Sequence, residues 1–310
     1  MNVAVAGGTG FVGGGIAAVL AGRGHHVIVL TRRPAAARAR LAGDMEARSV
    51  DRADAAGLAT ALAGAEALVV AIAFHGYPME NPRRGETFEA VDAAGTERLV
   101  AAAAAAGVRH VVYISGAGAA PDAAAHWFRA KWRAEEAVRG SGLHYTILRP
   151  TWLFGPRDAA LNRFLGFAKF LPFVPLTGNG RQLLAPVFID DLGAIVADAL
   201  SAPAAVDRVF EVGGPETMTM NEVVRTALRV AGRRRPLLHA PAALLKLAAW
   251  PLQFLPRPPL TPDAVDFVNQ PATVDVGPLL AALPRRLATL EEGLRTYVGP
   301  GARAAGSPQP

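Results

Sequence analysis

Seven residues near the start of the chain, Gly7-Gly8-Thr9-Gly10-Phe11-Val12-Gly13, restrict the fold more than any others. They follow a short apolar run, Val3-Ala4-Val5-Ala6, and precede an apolar helical stretch over 11–22. Glycines at 7, 10 and 13 form a G-x-x-G-x-x-G pattern. A strand that turns sharply into a helix needs a residue that tolerates positive φ, and glycine does. The helix start then offers free N–H groups and the positive end of its dipole to an anion. Between a strand and a helix, the pattern predicts a cradle for the diphosphate of a dinucleotide. Gly7, Thr9, Gly10, Phe11, Val12 and Gly13 are the expected lining.

The next stretch of chain repeats the strand–helix alternation. Short apolar or β-branched runs fall at 3–6, 26–30, 48–50, 67–73, 108–114 and 145–148, with alanine-rich helical segments near 11–22, 34–42, 55–63, 86–106 and 126–140. This spacing predicts βαβ units, hence an α/β fold with a doubly wound parallel sheet of the Rossmann type. Beyond Arg149-Pro150 the pattern loosens and proline and aromatic residues become frequent. Strands at 187–189 and 209–212 are expected to extend or flank the sheet, and helices are expected at 190–200 and 219–231. The second opens on Thr219-Met220-Asn221-Glu222, a capping box. Asp190-Asp191 read as N-cap and first-turn acids, not as catalytic groups. The expected division is a dinucleotide-binding domain over 1–150 and a smaller substrate or lid region over 151–298 that returns elements to the first domain. The Gly-, Ala- and Pro-rich tail over 299–310 reads as disordered.

The second strand runs into Leu30-Thr31-Arg32-Arg33-Pro34. NAD sites often place an acid there for the ribose 2′-hydroxyl. Two arginines suit a 2′-phosphate, so NADP(H) is favoured over NAD(H), with solvated loop charges as the alternative. Asp51 follows the third strand, where its carboxylate could accept from the adenine amino group or cap the next helix.

Composition narrows the partners. The chain of 310 residues has no cysteine, which excludes disulfides, a thiol nucleophile and zinc–thiolate sites. No metal site is expected. The net charge of +6 comes without an aromatic-interleaved basic stripe or a helix-turn-helix signal, so nucleic acid is not expected. The N-terminus lacks the features of a signal peptide, and no apolar window of about 20 residues runs uninterrupted. The expectation is a cytoplasmic protein, with the inner face of a membrane as a further option.

Five segments carry a family resemblance. They are the glycine loop, Asp92-Ala93-Ala94-Gly95-Thr96, Val111-Val112-Tyr113-Ile114-Ser115-Gly116, Leu148-Arg149-Pro150-Thr151 with Phe154-Gly155-Pro156, and Val187-Phe188-Ile189-Asp190-Asp191. In this order the chain resembles the short-chain dehydrogenase/reductase superfamily in its extended and atypical branches. Phe210-Glu211-Val212-Gly213-Gly214-Pro215-Glu216 and Leu260-Thr261-Pro262-Asp263 look like the branch related to the NDUFA-nine-type accessory subunit of respiratory complex I. The resemblance implies an NAD(P)-dependent oxidoreductase in which a Ser or Thr, a Tyr and a Lys serve catalysis. Tyr-x-x-x-Lys places both groups on one helix face, where Lys lowers the phenol pKa and binds the nicotinamide ribose. It carries over to Ser115 and Lys131, and it adds Pro150 to the cofactor-binding set.

The resemblance breaks four residues before Lys131. Trp127 stands where the family has tyrosine, and an indole N–H donates a hydrogen bond without ionising near neutral pH. Three readings stay open. The protein binds the dinucleotide without chemistry, as a structural or redox-sensing module of a membrane-associated respiratory assembly. Another group supplies the proton, with His75, Tyr77 and His126 as candidates. Or hydride passes to a quinone or flavin that takes its proton from water. Lys131 can hold the ribose in all three.

Two apolar segments mark the C-terminal half: 163–176, with Arg163 and Lys169 among its aromatics, and 242–255, preceded by Arg233-Arg234-Arg235. They read as the core of a lid, or as an apolar pocket or a surface that dips into a bilayer. The expected small-molecule substrate is apolar, peripheral membrane contact is an option, and so is an oligomer.

Overall fold

Glycine-rich turns and β-branched runs at the start of the chain build a parallel sheet in the computed structural model, which describes residues 1–39, 41, 43, 45–50, 54–255 and 260–299. Its strands are β1 (Asn2–Ala6), β2 (His26–Thr31), β3 (Glu46–Ser49), β4 (Ala67–Val70), β5 (His110–Ile114) and β6 (His144–Pro150), joined at the β6 edge by Arg208–Val212. The order is Arg208–Val212, β6, β5, β4, β1, β2, β3, with every neighbouring pair parallel. Such a sheet is covered on both faces, which is why its strands read as continuous apolar runs and not as alternating ones.

The faces are covered by α1 (Phe11–Gly22), α2 (Pro34–Arg38), α3 (Ala55–Leu62), α4 (Ala94–Ala105) and α5 (His126–Arg139). Val3, Val5, Ile16 and Leu20 belong to one core, while Ala4, Leu58, Leu68 and Leu99 belong to the other. The strand order reverses between β1 and β4, so the crevice beyond their C-terminal ends lies at the switch point where doubly wound folds bind ligands.

The sequence implied six strands for the first domain. The seventh, Arg208–Val212, comes from the second half and pairs with β6 from Arg208↔Thr146 to Val212↔Pro150. Val187–Phe188 stays outside the main sheet and pairs with Leu153–Phe154. The helix expected over 86–106 divides into a π-helical turn, Phe88–Ala93, and α4.

The remaining helices are α6 (Ala160–Phe170), α7 (Ile189–Ala199), α8 (Met220–Val230), α9 (Ala242–Leu252), α10 (Pro262–Asn269), α11 (Gly277–Ala282) and α12 (Leu290–Arg295). A parallel ribbon of Val174–Thr177 and Leu237–Ala240 links α6 to α9. Small residues let α7 close on α1: a Cβ on Gly15 would lie 2.3 Å from Ile189 Cγ1, and one on Gly193 would lie 2.8 Å from Val19 Cγ2. Asp190 and Asp191 fall in the first turn of α7, but Phe188 holds the N-cap position. Asp191 instead accepts from Ala288 N at 2.8 Å and ties down the C-terminal segment.

The Thr219–Glu222 capping box forms as the sequence implied, each side chain satisfying a backbone N–H of the other. Thr219→Ala is expected to cost about 1 kcal/mol, read as a lower urea midpoint with unchanged slope. An unchanged midpoint would mean that the box contributes nothing.

Candidate active site

The glycine loop leaves β1 at the switch point. Gly7 has φ +88°, and a Cβ there would stand 2.1 Å from Ala71 O. A Cβ on Gly13 would stand 2.4 Å from Gly7 O. Gly10 N donates to Gly7 O at 2.8 Å, which closes the turn and leaves Thr9 and Gly10 exposed at its rim. Phe11 and Val12 are half-buried as α1 begins. Thus Gly7 and Gly13 fix the turn, while Gly10 leaves the rim free of side-chain bulk where a diphosphate would approach the N–H groups of α1. The loop fits a dinucleotide.

Arg157, which the sequence did not single out, reaches back to this loop. Its Nη2 donates to Gly10 O at 3.1 Å. A guanidinium beside a helix N-terminus places two positive ends together, which an anion between them would relieve. Arg32 and Arg33 stand exposed after β2, and neither has a carboxylate partner among the described residues. Arg33 N donates to Thr31 Oγ1 at 3.2 Å, which holds this corner in shape. Pro150 is buried at the end of β6, and its carbonyl accepts from Ala117 N at 3.0 Å. Asp51 lies outside the described residues.

Trp127, Lys131 and Glu135 follow one another at four-residue spacing along α5, so they share a face, and that face packs inward. Lys131 Nζ lies 2.6 Å from Asp92 Oδ1, with side-chain exposures of 13% and 0%. Asp92 sits on the π-helical turn Phe88–Ala93. Burial works against the Lys131 charge, but Asp92 and then Tyr77 overcome it and raise its pKa. Burial pushes Asp92 up, and Lys131 draws it back only in part. The ammonium also lies 5.7 Å from the centroid of the Tyr113 ring.

An aromatic cage adjoins this pair. The Tyr77 ring lies 5.4 Å from Phe74, 5.2 Å from Phe88 and 5.5 Å from Phe267 of α10. Trp127 lies 5.5 Å from Phe267, and its buried Nε1 has no hydrogen-bond partner among the described residues. An indole N–H left unpaired in a buried site is available to an acceptor atom. Tyr77 keeps an exposed edge, but burial around its hydroxyl pushes its pKa well up, and Lys131 opposes this.

The other candidates are engaged elsewhere. Ser115 Oγ donates to Glu135 Oε1 at 2.6 Å. Glu135 is fully buried and also accepts from Arg149 at 2.8 and 2.7 Å and from Arg139 at 2.8 Å. This knot ties α5 to β6 and engages the serine hydroxyl. His126 lies 2.8 Å from Glu80, whose other oxygen accepts from Phe88 N at 2.7 Å, so it braces the π-helical turn. His75 is exposed. Asp92 and Phe267 were not legible as site residues. Asp92 had one signal, its place at the head of the Asp92–Thr96 family segment; Phe267 had none, because it arrives from 140 positions beyond Trp127 in sequence.

Comparison with known proteins adds the following. The family described as NAD(P)H-binding matches residues 7–163. The chain is similar to the mitochondrial NADH dehydrogenase [ubiquinone] 1 alpha subcomplex subunit 9 of Arabidopsis thaliana, 29% identical over 150 residues. That match covers 48% of this chain and 37% of the plant protein, so the chain spans well under half of that relative's length. The Neurospora crassa NADH-ubiquinone oxidoreductase 40 kDa subunit is 30% identical over 53% of this chain and 43% of its own length. A (4-alkanoyl-5-oxo-2,5-dihydrofuran-3-yl)methyl phosphate reductase of Streptomyces griseus is 33% identical over 74% of each chain. In fold, the chain is similar to an NADPH-dependent quinone oxidoreductase of Escherichia coli complexed with NADPH. The TM-score is 0.71 at 22% identity, covering 94% of this chain and 98% of that one. Among the described residues no helix is long and apolar enough to cross a membrane.

Proposed function

The chain belongs to the NAD(P)H-binding family and fits its atypical short-chain dehydrogenase/reductases, and on that premise we propose that it is an NADPH-dependent reductase of an apolar carbonyl or quinone-type acceptor, with Tyr77 as its proton donor. The observation that carries this reading is the aromatic cage in which Tyr77 and Trp127 both pack on Phe267, with Trp127 one turn of α5 from the buried Lys131–Asp92 pair. A dinucleotide held at Gly7–Gly13 would supply the hydride for the acceptor. Tyr77 gives its hydroxyl proton to the acceptor oxygen, and the Lys131 ammonium stabilises the phenolate that forms before water returns the proton. Trp127 Nε1 donates a hydrogen bond to the same acceptor. Phe74, Phe88 and Phe267 exclude water and favour a flat, conjugated substrate. Ser115 holds Glu135, so its part is structural.

A second reading has its own support. Lys131 is committed to Asp92 at 2.6 Å, and complex I subunits are among the relatives of this chain. In that reading the protein binds the dinucleotide as a non-catalytic accessory module. Titration and turnover separate the two. Purified protein is expected to bind NADPH about tenfold tighter than NADH, through Arg32 and Arg33, and to oxidise NADPH when an apolar quinone or enone is added. Replacing both arginines by alanine is expected to abolish the preference while NADH affinity holds. Tight NADPH binding with no turnover across quinones, enones and aldehydes would establish the accessory reading and overturn the reductase.

A further inference from the structure

Helix α9 is amphipathic in the reverse sense. Its inward side carries Ala249, which is fully buried, with Leu245 and Leu252 half-buried beside it. At 100° per residue, Leu244, Leu247 and Trp250 fall on the opposite side. They are 62%, 72% and 60% exposed. Phe254 extends the stripe just past the helix, with its ring 5.7 Å from Trp250 and 68% of its surface exposed. The one charged residue of α9, Lys246, turns instead to Asp266 of α10 at 2.8 Å. The outward face is therefore apolar and uncharged, which a water-facing helix rarely is.

Cations without acids accompany it. Arg233, Arg234 and Arg235 precede the strand that leads into α9, and none has an ion-pair partner among the described residues. Arg233 donates to Ala168 O at 3.4 Å and Arg235 to Leu171 O at 3.1 Å. These bonds anchor them beside Lys169 and Phe170, and Phe170 is 79% exposed.

We infer that α9 lies in the headgroup region of an anionic lipid bilayer, with Leu244, Leu247, Trp250 and Phe254 inserted and the arginines on lipid phosphates. An uncharged apolar stripe with an indole, next to unpaired arginines, matches the layered chemistry of such an interface. A second copy of this chain would bring the same unpaired cations toward one another. The inference also deepens the reductase reading, on which this last step rests. Helix α9 packs on α10 and is pinned to it by Lys246–Asp266, and the next residue, Phe267, enters the cage with Trp127 and Tyr77. The acceptor class that fits this placement is one dissolved in the bilayer.

The test is sedimentation of the full chain with vesicles at low salt, with no turnover involved. It is expected to pellet with vesicles of equal parts phosphatidylcholine and phosphatidylglycerol, and to stay in solution with phosphatidylcholine alone. Leu247→Glu with Trp250→Glu is expected to lower the bound fraction about tenfold or more, with NADPH affinity and turnover of a water-soluble quinone unchanged. Retention of the parent in the supernatant, or undiminished pelleting of the double variant, would overturn the inference. So would a stable dimer that the same substitutions dissociate, because α9 would then be covered by its own copy. Vesicle binding without any turnover would keep the bilayer contact and remove the reductase.

Discussion

Asp92→Ala is expected to destabilise the protein by about 3–5 kcal/mol, because it strands the Lys131 ammonium in a buried site. The pair is 2.6 Å apart and Asp92 is fully enclosed, so no solvent replaces the lost carboxylate. Asp92→Ala with Lys131→Met is expected to recover most of the loss, since neither charge then needs a partner. Urea unfolding of the parent, both single variants and the double variant closes the cycle. The pH dependence gives a second readout. In the parent, Lys131 has a raised pKa. Its contribution is complete below the unfolded lysine value, near about 10.4, and fades as pH rises through the folded value. In Asp92→Ala the largest of the charges that raise Lys131 is gone and burial is opposed only by Tyr77 and Glu135, so its pKa falls and its contribution fades at a lower pH than in the parent. A single variant within about 1 kcal/mol of the parent, or a double variant no better than Asp92→Ala, would show that the pair is not the keystone of this region.

Tyr77→Phe is expected to lower kcat for acceptor reduction about 100-fold or more, the usual contribution of a positioned general acid. KM and NADPH affinity should change little, because the ring stays in the cage with Phe74, Phe88 and Phe267. Trp127→Phe is expected to cost only a few-fold, which separates a hydrogen-bond donor from the proton source. Burial holds the Tyr77 phenol above its ordinary range, so it stays protonated at neutral pH. The parent should therefore show no alkaline fall in kcat until beyond about pH 10. Undiminished kcat in Tyr77→Phe would leave the proton to water, as a quinone acceptor would permit.

What the sequence disclosed follows the range of each interaction. The glycine loop and the apolar runs of β1, β2, β4 and β5 act over a few residues, so the parallel sheet was legible. The Thr219–Glu222 box spans three positions and was equally plain. The π-helical turn was not, because Phe88–Ala93 has ordinary helical composition and is shaped by Glu80 and His126 beneath it. At the site, the loss of tyrosine at Trp127 was visible, since a helix fixes the four-residue spacing to Lys131. Tyr77 was among the candidates, but its packing against Phe267 was not legible, because it comes from a loop and no periodicity encodes that. Ser115 shows the reverse case. Its place in the motif suggested catalysis, and its hydroxyl donates to Glu135, a partner brought by α5 that the motif does not encode.

The strand Arg208–Val212 carries one more consequence. It bonds to β6 along the whole register Arg208↔Thr146 to Val212↔Pro150. A cut after Pro150 would strip that neighbour away and bare a row of main-chain donors and acceptors, the template on which sheets aggregate. On the proposed reading the chain divides by task, cofactor first and acceptor later, but both parts contribute strands to one sheet. Half of it could not be lent to another protein as a working cassette, because the last stitch of the first half is supplied by the second.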